Sequence, residues 1–207
     1  MEVLETLQQY ILGEMLLAII IFPLYCTVGG NKNGAFLNIG KVMQNILKAI
    51  DEALSLLPSK MDSKEARLML LAIGFQESRF EHRRQLVGSP PRPIGPAKSF
   101  WQGERGGGMV HGVRTHRGVK DYANTLYKAR GVQPTNQAIW DAIEYDDVLA
   151  AGLARLLLWT DPHKLPAIGD VDEAWDLYIR TWRPGKAHRS SWNEMYTKAL
   201  ATLVEDC

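Results

Sequence analysis

The sequence predicts an all-α fold, with at most a minor β or loop region, and a hydrophobic appendage at the N-terminus. Three observations predict it. Apolar residues recur at three- and four-residue spacing from Met43 onward. One segment, residues 68–75, is apolar on nearly every face, as a helix at the centre of a core must be. No stretch sustains the every-second-residue alternation of a half-buried sheet, and no internal repeat is present. At 207 residues the chain can bury one sizeable core but is short for two. The organisation read from it is a hydrophobic segment over residues 1–42 and one domain over residues 43–207. A net charge of +1 and a charged fraction of 23% fit an ordinary soluble domain. They argue against disorder and a generally basic nucleic-acid binder.

Residues 11–28, ILGEMLLAIIIFPLYCTV, form a nearly continuous apolar run about long enough to cross a bilayer. Four readings fit it. A secretory signal is disfavoured by Glu2 and Glu5, where positive charge is wanted, and by the lack of a clean cleavage site. A membrane anchor, giving membrane contact through residues 11–28, would bury Glu14 at a cost of roughly 2–3 kcal/mol. A start of translation at Met43 would make the Gly- and Asn-rich stretch 27–41 a linker or read-through. A buried helix ending at Pro23 is the fourth. Cys26 and Cys207 stand too far apart to be a disulfide framework, so the redox compartment stays open.

In the domain, Ile46, Leu47, Ile50, Leu54 and Leu57 predict a first helix that Pro58 closes. Asp62 with Glu65 three residues on has the pattern of a capping box, opening the apolar helix. Between Val87 and Gly118, four prolines and the triplet Gly106, Gly107, Gly108 exclude regular helix and leave short strands or irregular turns. Helices return over residues 120–130, 136–143, 147–159, 171–181 and 191–204, separated by Gly131, Pro134, Pro162, Pro166 and Pro184.

Glu77 is the residue most able to carry chemistry, because LLAIGFQESRF puts its carboxyl at the C-terminal end of a helix that must be buried. Desolvation and the negative end of the helix dipole both disfavour the carboxylate, so both retain a proton. A general acid needs that property. The bland alternative is an exposed carboxylate paired with Arg79 or Arg83. From Arg79 to Arg130 basic residues predominate, which predicts a positive surface: an anionic polymer is one partner for it, a solvated loop the other reading.

ESRF after an apolar helix resembles the acid motif of soluble lytic transglycosylases and goose-type lysozymes. Three further segments match in order. GPAKSFWQ (residues 95–102) is similar to the groove motif G-x-A-x-G-L-M-Q. LAAGLARLLL (149–158) is similar to N-I-x-x-G-x-x-Y-L, and AWDLYIRTWRPG (174–185) stands where the family has an alanine-rich helix ending in tyrosine and glycine. Together they cover roughly residues 60–185. Ser99 replaces the second glycine, Leu157 a tyrosine, and a proline-rich insertion separates Glu77 from Gln102.

The resemblance implies a lysozyme-like single domain that cleaves the bond between N-acetylmuramic acid and N-acetylglucosamine, with Glu77 as acid and no cofactor. It implies peptidoglycan glycan strands as partner, no nucleic acid, a phage-encoded origin, and a place in the periplasm, cell wall or virion. Glu104 supplies a second carboxylate: facing Glu77 it would serve hydrolysis, whereas facing solvent it would leave Glu77 alone to close an anhydro ring. Gln102 is a candidate for the N-acetyl group, Phe100 and Trp101 for stacking on sugar rings, and Tyr178 for stabilising charge near Glu77. Neighbours on an extended segment face opposite ways, so core packing is the reading for one of the two aromatics. Residues 182–185 are candidates for the groove rim. Two other classes compete, a non-catalytic phage structural protein with a lysozyme-like fold and a basic nucleic-acid-binding helical protein. No metal site is expected, since His111 and His116 lack a third ligand at sensible spacing. A P-loop and a Gly-x-Ser-x-Gly elbow are also missing. The oligomeric state is not legible.

Overall fold

The computed structural model describes residues 33–205, and the apolar run 11–28, Cys26 and Cys207 lie outside them. Internal contacts divide the chain into Met1–Gly40 and Lys41–Cys207. The described residues are mainly α, 61% helix and 8% strand, with eight helices and a small sheet. Helix α1 spans Asn33–Ser55, a short 3-10 turn Ser59–Met61, and α2 Lys64–Ser78. Three strands follow: β1 Arg84–Val87, β2 Arg92–Lys98 and β3 Gly103–Glu104. After a π-type turn, Gly108–Gly112, come α3 Val113–Thr115, α4 Lys120–Ala129 and α5 Asn136–Ala142. The chain ends with α6 Asp147–Trp159, α7 Val171–Trp182 and α8 Arg189–Glu205. Among the described residues no helix is long and apolar enough to cross a membrane.

Three local expectations are corrected. Helix α1 begins at Asn33, well ahead of Met43, so part of the Gly- and Asn-rich stretch is helical. The cap of α2 is Ser63, whose hydroxyl accepts from the Ala66 amide, while Asp62 instead takes the Arg67 guanidinium in a two-point bond of 2.8 and 2.9 Å. A fork-shaped cation outcompetes a backbone amide for an adjacent carboxylate. Residues 108–115 are helical, although glycines there argued against it, because Met109, Val110 and Val113 bury against the core and offset the entropy that the glycines lose.

Helix α2 is the axis of the core. Leu68 to Ile73 and Ala66 are all buried, and α2 lies along α8 for much of its length. It ends where Arg79 and Phe80 both enter the left-handed region, at φ 57 and 56. Each such non-glycine residue costs about 1–2 kcal/mol. The reversal folds the Phe80 ring back over Gly74, where it meets Phe75, Phe100 and Trp101 edge-on at centroid distances of 4.9, 5.5 and 6.0 Å. The sheet is antiparallel in the order β1-β2-β3, with Arg84 opposite Lys98, Ala97 opposite Glu104 and a bulge between Arg84 and Leu86.

Gly74 is the point at which helix and returning ring touch: a Cβ there would lie 2.1 Å from Phe80 Cζ. In Gly74→Ala the gain in helix propensity, about 0.5–1 kcal/mol, is outweighed by overpacking of about 1–3 kcal/mol against a ring caged by three aromatics. The expected outcome is a lower urea midpoint at unchanged slope; an unchanged or higher midpoint would show that the ring yields freely.

Candidate active site

A groove of about 1320 Å³ opens between the sheet and the C-terminal ends of α2 and α7. Gln85, Ala97 and Glu104 line its sheet side, Glu77 comes from α2, and Thr181 and Trp182 from α7. Gly106, Gly107 and Gly108 also line it, and a Cβ on Gly108 would press to 3.1 Å from the Leu157 side chain.

Glu77 is placed by its helix. The carboxyl accepts a hydrogen bond of 2.7 Å from the Tyr178 hydroxyl onto Oε1. Burial pushes its pKa from 4.5 up to about 7, against the downward pull of that hydrogen bond. Burial and the neighbouring Glu77 charge push the Tyr178 phenol up in turn, so it stays a donor. Tyr178 is itself locked, stacked on Trp192 at 5.2 Å and 13°, with Trp175 and Trp182 on its other contacts. The bland alternative for Glu77 fails on geometry. Arg79 is an exposed cap residue of α2, and Arg83 forms a two-point pair with Asp147, at 2.5 and 2.7 Å.

Glu104 lines the same groove from β3 and is exposed, so Glu77 and Glu104 come to one trench from different walls. Gln102 also lines it, but its amide NH₂ is spent on the Ser99 carbonyl at 2.8 Å, with His82 O at 3.4 Å. What Gln102 offers a ligand is therefore chiefly its carboxamide oxygen. Residues 182–185 line the groove as expected.

Phe100 and Trp101 do not serve it. Their exposures are 3% and 0%, and Trp101 Nε1 donates to the Leu70 carbonyl inside α2 at 2.8 Å. Phe100 instead underlies a separate 580 Å³ hollow beside Arg83, whose guanidinium sits 4.4 Å over its ring. Alternation failed because the segment is not extended: Ser99 and Gln102 take φ 68 and 51, and the Gln102 amide closes a turn onto Ser99 O at 3.2 Å. Both intervening aromatics thus fall on the core side.

The positive surface predicted over residues 79–130 is neutralised in part, four of its eleven lysines and arginines (Arg83, Arg84, Lys98 and Arg130) standing in ion pairs. Lys98, buried, meets Asp141 at 3.0 Å and Glu144 at 2.9 Å with the Trp140 ring 3.6 Å beneath it. Arg84 approaches Glu144, and Arg130 pairs with Asp146 and Glu52. Residues 141–147 bring the acids that spend these cations, a pairing invisible to local charge counting.

Two residues that sequence reasoning missed support the site. Ser78, buried beside Glu77, donates to the Phe100 carbonyl at 2.8 Å and accepts from the Phe80 amide, tying the end of α2 to the 99–102 turn. Asp161 holds Arg180 at the far end of the groove at 3.0 Å. ESRF flagged the first by adjacency; nothing local flagged the second. All five non-glycine residues with positive φ among the described residues, Arg79, Phe80, Ser99, Gln102 and Arg183, belong to the segments that close α2, turn above β3 and close α7. Strain of this kind persists only where surrounding packing over-determines it, and it gathers at functional sites. Among the described residues no three His, Cys, Asp or Glu side chains come together to hold a metal.

No family model matches the chain, and no curated protein and no solved structure is significantly similar to it.

The raised Glu77 pKa sets a pH signature. Below pH 4.5 the carboxyl is protonated both folded and unfolded, so it costs nothing; between 4.5 and about 7 the unfolded chain releases a proton that the folded protein keeps, and above about 7 the full cost is reached. Stability should therefore fall over that window by up to about 3 kcal/mol, at about 1.4 kcal/mol per pH unit. Glu77→Gln should lose this component, and urea midpoints across pH measure it. Parallel curves for the two proteins would mean that Glu77 titrates normally.

Proposed function

We propose that this protein is a peptidoglycan glycosidase with a lysozyme-like fold, cleaving between N-acetylmuramic acid and N-acetylglucosamine, with Glu77 as general acid. One observation carries the reading: a carboxyl group that holds its proton to about pH 7 borders a groove of about 1320 Å³. A glycosidic oxygen is a poor leaving group until protonated, and an acid with a pKa near the working pH combines availability with strength. Tyr178 fixes the carboxyl at one oxygen, leaving the other to address the sugar oxygen.

Two further observations support the resemblance to lytic transglycosylases and goose-type lysozymes. The motif G-x-A-x-G-L-M-Q has glycine where this chain has Ser99, and Ser99 takes φ 68, a conformation that glycine adopts without strain. Tyr178, from the segment matched to the family's tyrosine-ending helix, bonds the acid directly. Glu104 lines the sheet side of the same groove but is exposed to solvent, which favours ring closure by Glu77 alone over hydrolysis through a second carboxylate.

Zymography on purified bacterial wall tests the acid. Wild type should clear it, Glu77→Gln should lose about a hundred- to ten-thousand-fold in rate, and kcat should decline as pH rises through about 7. Equal clearing by both proteins would remove the assignment. Mass analysis of the muropeptides tests Glu104: anhydro ends, retained in Glu104→Gln, are expected, whereas reducing ends one water heavier and lost in Glu104→Gln would make Glu104 the second carboxylate.

A further inference from the structure

The domain carries a second concavity, a hollow of about 580 Å³ between α1, the start of β1 and residues 144–147. It lies behind the groove: on β1, Gln85 lines the groove and Arg84 the hollow, because successive residues of a strand face opposite ways. Its floor is apolar, made by Ile46, Phe80 and Phe100, each at most 5% exposed. Its walls are polar and set in place. Arg83 grips Asp147 at two points with its guanidinium 4.4 Å over the Phe100 ring, and Arg84 Nε donates to the Gly95 carbonyl at 3.0 Å. Glu144, its side chain 12% exposed, meets Lys98 at 2.9 Å and Arg84 at 3.9 Å. Tyr145 also lines the hollow and, at 75%, is the most exposed large hydrophobic side chain among the described residues.

The cleavage proposed for Glu77 makes no use of this hollow, and the chemistry of its walls narrows what it can hold. Arg83 is spent on Asp147, and Glu144 on Lys98 and Arg84; among the described residues Glu81 is the one lining ion whose only charged neighbour is a histidine, His82 at 4.0 Å. An ionic ligand would have to part pairs already made, at a cost that its own contacts must first repay. A wholly apolar ligand would strip water from the guanidinium and carboxylate edges and return no hydrogen bond. A neutral polyhydroxylated ring suits both parts, since its C–H face packs on an aromatic ring and its hydroxyls bond fixed donors and acceptors. The volume falls within the roughly 300–1,000 Å³ of small-molecule sites. We infer that the hollow is a second saccharide site, taking an N-acetylhexosamine unit of a glycan chain with its C–H face on Tyr145 and its polar edge towards Asn45, His82 and the Arg83–Asp147 pair. The choice of sugar rests on the glycosidase reading; the site itself holds glycan without cleaving it, and so keeps the protein on its polymer between one cut and the next.

The test is a titration of the isotope-labelled full chain, as Glu77→Gln so that the probe stays intact, with the tetramer of N-acetylglucosamine, followed at the backbone amides by NMR. Amides of Asn45, His82 and Tyr145 should shift together, with a dissociation constant of their own, apart from those of Glu104 and Gly107 in the groove. On the same background Tyr145→Ala should raise the constant at the hollow about three- to thirty-fold, whereas Tyr145→Phe, which keeps the ring, should stay within about twofold. Binding of a neutral ring should persist as salt is raised. Tyr145 is exposed, so its truncation opens no cavity, and the salt series needs no variant at position 145. Silent amides at the hollow, equal binding by Tyr145→Ala, loss of binding in salt, or equal shifts with inorganic phosphate or free lysine in place of the sugar would each overturn the inference. Shifts at the hollow from a protein whose wild type clears no wall would leave this site standing and sink the glycosidase reading; wall clearing with a silent hollow would do the reverse.

Discussion

A half-buried carboxyl group at the end of an apolar helix is the constraint around which this fold is arranged. Helix α2 is buried on nearly every side, so its last turn emerges from the core rather than from a surface, and Glu77 inherits that environment. Such a group must find a partner, and Tyr178 supplies one hydroxyl from α7. Tyr178 can do so only because Trp192 of α8 and Trp175 and Trp182 of its own helix fix its ring. The α2, α7 and α8 arrangement is thereby coupled to one oxygen atom. The abrupt left-handed exit at Arg79 and Phe80 belongs to the same arrangement, since it returns the Phe80 ring onto Gly74 of the same helix.

The helices were largely legible because their signals are periodic and local. Asp147–Trp159 has the limits that the apolar spacing gives, and Lys120–Ala129 and Val171–Trp182 differ only at an end. Glu77 was legible for a related reason: apolarity on every face implies burial, and burial implies a perturbed acid. Tyr178 was underrated because Trp175 and Trp182 mark its helix face as core, whereas that aromatic packing is what aims the hydroxyl at Glu77. Phe100 and Trp101 were misread because side-chain direction was inferred from an extended backbone. Two left-handed residues, Ser99 and Gln102, turn the chain between them, and neither is a glycine that would have announced the turn.

Charge was the least legible property. The basic run and the acids of residues 141–147 are separated in sequence, yet Lys98 enters a cage of Asp141, Glu144 and Trp140, and Arg83 and Arg130 reach Asp147 and Asp146. These contacts bind the sheet to the α5–α6 region and take four of the cations of residues 79–130 out of the positive face. Burial makes the Lys98 cluster costly to break, because removing one partner would leave the others uncompensated.

The 99–102 turn is fastened to its surroundings mostly through main-chain oxygens. The Trp101 indole bonds the Leu70 carbonyl, the Trp182 indole bonds the Trp101 carbonyl, Ser78 bonds that of Phe100, and the Trp140 indole bonds that of Pro96. Every residue type carries a carbonyl. The accepting half of each fastening is therefore indifferent to side-chain identity, and only the donors need be kept. A frame built this way tolerates extensive drift in its lettering while its geometry endures, so kinship at such a site would outlast any likeness readable residue by residue.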